Sequence, residues 1–263
     1  MEHHESSFSG LNDFNIYYQC WLPDDEPLAV LLIAHGFAEH SSRYGNLVDH
    51  FLPLGYAMYA LDHRGHGRSD GERVHVDHYT DYTKDLKTFF DLVSAAQPGR
   101  DIFVVGHSMG ASISLSYVLE HQQELAGLAI SGGGISPPGA APPPPRAAGA
   151  PLPTDFLSHD PVVIEAYVND PLVYRGPIPT GRASAMAGMR EALPGRVHEI
   201  TLPILIMAGA DVPDGERSTA LCDVVGSDDK TLRVYEGMKH EIFNEQDHSR
   251  VMADLEHWLA AHL

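Results

Sequence analysis

The sequence predicts a doubly wound α/β sheet, covered by helices on both faces, in a single domain. Three observations predict it. Short β-branched or apolar runs alternate with helix-period stretches along the whole chain, which implies parallel strands joined by crossover helices. The 263 residues, 43% of them apolar, suffice for one large core and are too few for two independent catalytic domains. No internal repeat divides the chain into smaller stacked units.

The strand-like runs are residues 15–21, 29–34, 56–61, 101–105, 125–130, 203–207 and 231–235. Between them, residues 78–96 place Tyr82, Leu86, Phe89, Phe90, Leu92 and Val93 largely on one stripe, the spacing of a helix with one buried face. Residues 109–121, 218–225 and 248–262 read in the same way. One stretch breaks the rhythm. Residues 132–197 intrude between two strands and open with a Gly/Pro tract, eight prolines falling within 137–153. Proline lacks the amide hydrogen and clashes with the preceding helical turn, so this tract is expected to be non-helical. Beyond it, 155–168 and 182–193 read as short helices. The whole stretch is expected to be a cap over the C-terminal edge of the sheet, where open α/β sheets bind their ligands.

Charge excludes several classes of function. Seventeen Lys and Arg against 36 Asp and Glu give a formal charge of −19. Nucleic-acid binding needs a basic patch that neutralises phosphates, so no nucleic-acid partner is expected. Anionic lipid is disfavoured for the same reason, leaving at most weak membrane contact through the cap. The longest apolar run, 28–34, has seven residues against the ~18 of a membrane span. The first ten residues, MEHHESSFSG, carry neither the basic nor the hydrophobic region of a secretory signal. A soluble, cytoplasmic protein is expected. Cys20 and Cys222 show no metal-binding or redox spacing and are expected to be buried, reduced thiols.

The pattern G-x-S-x-G occurs twice, at Gly67–Gly71 and at Gly106–Gly110. A nucleophilic serine of this type stands on a tight turn that leaves a buried strand and opens a helix. Ser108 follows the strand run 101–105 and precedes a strong helical run at 111–119. Ser69 follows a polar loop and precedes no helix. Ser108 is therefore the candidate nucleophile and Ser69 a loop residue. A serine hydroxyl needs a base within hydrogen-bond reach, and in this arrangement the acid and then the histidine follow the serine along the chain. Of the 17 histidines, only His240, His248, His257 and His262 lie beyond the last predicted strand, and the last three sit in a helical pattern. His240, in the loop after 231–235, is the candidate base.

The acid should leave the end of the strand at 203–207, where Asp211 and Asp214 both qualify. Asp211 is preferred because it lies closer to the strand end. Asp214, beside Gly215, has the look of a turn or helix-capping residue and stays in reserve. The backbone amide of Met109, after the nucleophile, and that of Phe37, in the loop after 29–34, are the candidate oxyanion-hole donors. No cofactor is expected. A metal hydrolase is disfavoured, because His63-Arg64-Gly65-His66 lacks an adjacent glutamate and no HExxH occurs.

These words, together with His35-Gly36-Phe37-Ala38-Glu39-His40-Ser41-Ser42-Arg43-Tyr44, Asp62-His63-Arg64-Gly65-His66-Gly67-Arg68-Ser69, Tyr167-Val168-Asn169-Asp170-Pro171-Leu172 and Lys239-His240-Glu241-Ile242-Phe243-Asn244-Glu245, make the chain resemble the α/β-hydrolase superfamily, in its monoacylglycerol lipase and lysophospholipase branch. The segments occur in the family's order and cover nearly the whole chain. The resemblance implies the α/β-hydrolase fold and serine hydrolysis of monoglycerides and related carboxylic esters without a cofactor. It implies Ser108, Asp211 and His240 as triad and Phe37 and Met109 as oxyanion donors. It also places Arg43, His107 and Tyr167 at the alcohol end of the substrate pocket. Alternatives on the same triad are a general carboxylesterase for small soluble esters, an amide hydrolase or an acyltransferase. The chain departs from the family pattern at Ala38 and Ala111, where glycine is common, in a shorter loop after Asp211, and in the proline tract of the cap.

Overall fold

The computed structural model describes residues 1–137, 139–140, 152–177, 188–189 and 191–263. The proline run 142–145 and most of the expected helix 182–193 lie outside the described residues. An eight-stranded sheet runs through the described chain in the order β1-β2-β4-β3-β5-β6-β7-β8. Its strands are β1 (Glu2–Ser9), β2 (Asn15–Leu22), β3 (Val30–Ala34), β4 (Ala57–Leu61), β5 (Ile102–His107), β6 (Gly127–Ser131), β7 (Ile204–Gly209) and β8 (Lys230–Tyr235). β3 to β8 pair in parallel, while β1, β2 and β4 pair antiparallel. The sheet is thus mostly parallel, as expected.

Its helices are α1 (Gly45–Phe51), α2 (Tyr79–Ala96), α3 (Met109–His121), α4 (Pro161–Asn169), α5 (Asp214–Val224) and α6 (His248–Ala260). Alternate strand residues feed two separate cores, one on each face. Val30, Leu32, Ile102 and Val104 pack with α2, α3 and α5. Leu31, Ile33, Phe103 and Val105 pack with α1 and α6. The continuous hydrophobicity of the central strands follows from burial on both sides.

Two elements carry no strong sequence signal. β1 is almost entirely exposed and built from charged and polar residues, so it shows no apolar alternation. It is held by backbone pairing with all of β2, by His3 stacked on Trp21, and by Phe8 stacked on Phe89 of α2. A charged edge strand of this kind discourages pairing with another molecule. α1 has only seven residues, too few to display a helical period. In the cap, α4 starts at Pro161, later than the sequence suggests, because the Asp160 side chain caps it by accepting from the Val162 amide. Both cysteines are free thiols, Cys20 buried in β2 and Cys222 only partly buried in α5.

The parallel strands direct their C-terminal ends to one edge. Ala34, Gly106, Ile130 and Ile206 lie side by side near it, and the loops that follow β3, β5, β7 and β8 leave from it.

Candidate active site

Ser108 sits between β5 and α3 with φ 55° and ψ −111°, a backbone conformation that a residue with a Cβ rarely adopts. The strain is imposed by close packing of helix on sheet. A Cβ on Gly110 would come within 2.0 Å of the Ala34 carbonyl oxygen, and one on Gly106 within 2.8 Å of the Gly110 carbonyl oxygen. Glycine at both positions lets α3 dock against β3 and β5 and lifts the Ser108 hydroxyl off the sheet edge. The Ser108 amide donates to Ser131 at 2.8 Å, tying the turn to β6.

The Ser108 Oγ lies 2.8 Å from His240 Nε2. On the other side of the ring, His240 Nδ1 lies 2.5 Å from Asp214 Oδ2. The expected acid, Asp211, does not reach the histidine. Asp211 is exposed; its Oδ2 pairs with His159 Nε2 at 2.8 Å and its Oδ1 accepts from the Gly237 amide at 3.2 Å. The correction has a simple cause. α5 begins at Asp214 rather than at 218, and the first helical turn swings Asp214 inward to 4% exposure while Asp211 stays on the outer side of the loop.

Phe37, Met109, Ser108 and His240 line one cavity of about 210 Å³, with Ser112, Gly132, Gly133, Gly134, Ile135, Ser136, Met189, Leu193, Pro194 and Arg217. Larger surface grooves lie elsewhere, one beside α2 and one on the outer face of α5, and neither contains Ser108. Met109 opens α3, where helical amides have no intrahelical acceptor. A serine–histidine–carboxylate chain facing a cavity lined by both polar and apolar groups is an arrangement that activates a hydroxyl for attack on an acyl carbon.

The family model for serine aminopeptidase S33 matches residues 25–247, most of the chain. The chain belongs to this α/β-hydrolase family. It is 36% identical to a monoacylglycerol lipase of Mycolicibacterium smegmatis, over 98% of both chains. It is 28% identical to the human monoglyceride lipase, over 88% of this chain and 81% of that one. Among solved structures, a thermostable carboxyl esterase from Bacillus coagulans superposes with a TM-score of 0.86 at 23% identity, over 99% of each chain. That likeness establishes the fold.

Family membership leaves open what Arg43, His107 and Tyr167 do here. None of the three lines the cavity that holds Ser108. The Arg43 side chain is 8% exposed, its Nε 3.0 Å from Glu39 and its Nη2 2.6 Å from Glu241. The Tyr167 ring of α4 covers the guanidinium at 4.7 Å. Burial opposes ionisation of Glu39, but His107 and Arg43 outweigh it and hold its carboxyl down to about 2. Burial pushes the Glu241 carboxyl up, against Arg43. His107 shares a 2.9 Å hydrogen bond with Ser131 Oγ and packs 4.8 Å from the His240 ring. Burial, and then the neighbouring His240, push it down to about 4, so it is neutral near pH 7.

This network reaches the loops that carry Phe37 and His240. Glu39 Oε1 accepts from the Gly36 amide at 2.6 Å, one residue before Phe37, and Glu241 directly follows His240. The cap is stitched to the same loops, with the His240 and Glu241 amides donating to Phe156 and Leu157 and the Tyr174 amide to Ala38. Glu39 and Glu241 carry no role in the sequence reading, although both stand inside the family words, one on each side of the site; Asp214, the reserve candidate for the acid, is the carboxylate that meets His240. The second G-x-S-x-G serine, Ser69, is buried and structural, donating to the Asp62 carbonyl and accepting from the Tyr17 amide.

Ala38 has φ +67°, the left-handed region that suits glycine. Ala38→Gly is expected to stabilise the protein by roughly 0.5–1 kcal/mol, about 1–2 °C in Tm, because the methyl group is strained in the folded state. Thermal unfolding followed by circular dichroism checks this. An unchanged or lower Tm shows that the Tyr174–Ala38 backbone bond absorbs the strain.

Proposed function

We propose that the chain hydrolyses carboxylic esters, monoacylglycerols and related short- to medium-chain esters, through an acyl-enzyme on Ser108. The observation that carries the proposal is the continuous chain of hydrogen bonds from Ser108 through His240 to Asp214. His240 takes the Ser108 proton as the hydroxyl attacks the ester carbonyl, and the Phe37 and Met109 amides hold the oxyanion. Collapse of the tetrahedral intermediate breaks the bond to the alcohol, which leaves with the proton from His240. Water then repeats the sequence on the acyl-enzyme and releases the carboxylic acid. Asp214 holds the imidazole in the tautomer that presents Nε2 to serine and offsets the charge of the imidazolium. No step requires a metal or cofactor.

The relatives named for monoacylglycerol hydrolysis support an ester substrate. The apolar cavity wall of Met109, Ile135, Met189, Leu193 and Pro194 fits the acyl part, the hydroxyl of Ser108 standing at its end. Among the described residues no helix is long and apolar enough to cross a membrane. A cytoplasmic enzyme that meets small esters, with at most weak membrane contact through the cap, fits the net charge.

The test is kcat/KM for p-nitrophenyl esters of graded acyl length, from acetate to palmitate, beside the matching monoglycerides. Each buried methylene is worth ~0.8 kcal/mol, about fourfold in kcat/KM while the chain still finds apolar wall. We expect the rate to climb through the short acyl chains, level at medium length, and extend to monoglycerides of the same length. A peak confined to the shortest esters, with monoglycerides refused, replaces this reading with a carboxylesterase for small soluble esters. Turnover of peptide p-nitroanilides in preference to every ester overturns ester hydrolysis as the function.

A further inference from the structure

The carboxylate of Asp214 is held unevenly. Its Oδ2 faces His240, but its Oδ1 receives no hydrogen bond among the described residues, although the side chain is 6% exposed. Asp211, three residues earlier, does accept from a backbone amide. Moving the acid from the strand end into the first turn of α5 therefore forfeits that donor. The charge that faces Oδ1 instead is Arg217, one turn along α5, with Nη1 3.9 Å away. That separation is beyond a hydrogen bond and within the reach of an ion pair. Arg217 is 46% exposed, has no other ion pair among the described residues, and forms part of the cavity wall beside Ser108.

A buried carboxylate with one oxygen unbonded is free to turn about its last torsion and is costly to keep ionised. We propose that Arg217 is the positioning residue of Asp214: its guanidinium faces Oδ1 and keeps Oδ2 turned toward His240. This rests on the reading of Ser108, His240 and Asp214 as the triad. The same cation offsets part of the Asp214 charge felt by the imidazole. Removing it leaves the Asp214 charge unopposed, and the acid limb of kcat/KM is expected to move to higher pH.

Other charged and titratable groups face His240 as well. From β5 comes His107, with Glu39 behind it. From the base loop come Lys239, bound to the Asp155 and Ser158 carbonyls, and Glu241, paired with Arg43. The cap contributes the uncharged Phe156 ring at 5.1 Å. All of these stay in place when Arg217 alone is changed.

The experiment compares the wild type, Arg217→Gln and Arg217→Lys on p-nitrophenyl butyrate between pH 5 and 9, at low salt and at 0.5 M NaCl, with Ser108→Ala as blank. For Arg217→Gln we expect kcat about 3- to 10-fold lower, KM little changed, and an acid limb higher by roughly 0.3–1 pH unit, the size of effect for a half-exposed charge. Arg217→Lys should return most of the shift, and high salt should narrow the gap between wild type and Arg217→Gln. Coincident acid limbs with unchanged kcat make Arg217 a solvated surface residue and overturn the proposal. An equal loss of kcat in both variants with unmoved limbs reduces its role to packing and overturns it too. A Ser108→Ala blank that retains activity is a different failure, because it removes the triad reading on which Arg217 depends.

Discussion

Ser108→Ala is expected to lower kcat on p-nitrophenyl esters by about 10⁶, leaving only what the oxyanion donors and binding alone can do. Among the described residues, the Ser108 hydroxyl is the one nucleophile that the geometry brings within 2.8 Å of His240. Ser112, a turn later in α3, lines the same cavity but has no hydrogen bond to the histidine among the described residues. A retained activity of more than a few per cent, with purity checked by an active-site titrant, sinks the assignment. Stability separates the loss of chemistry from a loss of fold. Since φ at Ser108 is 55°, Ser108→Gly should be equally inactive and yet unfold at a higher temperature than Ser108→Ala, the strain being worth roughly 1–2 kcal/mol. An alanine variant as stable as the glycine variant means that the elbow is not strained.

The parts of this site that were legible in the sequence are those whose chemistry is written in consecutive residues. Ser108 announces itself because glycines on either side, a β-branched strand before and a helix after are all needed to build one turn. Its twin at Ser69 has the same five letters and none of that setting, and the structure spends its hydroxyl on the Asp62 carbonyl. His240 is reached by elimination, since the last strand and the last helix leave one loop histidine between them. The central strands are legible because burial on both faces makes them continuous apolar runs. β1 is not, because an exposed edge strand is held by backbone hydrogen bonds that any sequence can make. The buried pairing of Arg43 with Glu39 and Glu241 was hidden for another reason: 198 residues separate Arg43 from Glu241, and nothing local distinguishes a buried arginine from a surface one.

Asp214→Asn is expected to lower kcat by about 10⁴, and Asp211→Asn by less than threefold. An amide at 214 is isosteric, so the contact with His240 Nδ1 survives, but it no longer demands a proton there. The imidazole then settles in the wrong tautomer, with Nε2 protonated and unable to accept from Ser108, and the imidazolium loses its counter-charge. At Asp211 the same change disturbs only an exposed partnership with His159 and one backbone amide, neither of which touches the reacting atoms. Proximity to the strand end made Asp211 the better guess, because a residue there is fixed by the sheet. That logic fails here for a physical reason. The loop is so short that Pro213 already caps α5 and Asp214 opens it, and a first-turn residue on a helix packed against the sheet is fixed as firmly as a strand-end residue and points further inward. If Asp211→Asn instead shows the larger loss, the loop must rearrange when substrate binds, bringing Asp211 to Nδ1, and the arrangement of α5 described above is that of the resting enzyme alone. A double variant distinguishes this from partial sharing: with one acid in use, Asp211→Asn adds nothing to Asp214→Asn, whereas two acids that substitute for each other give a double variant far worse than either.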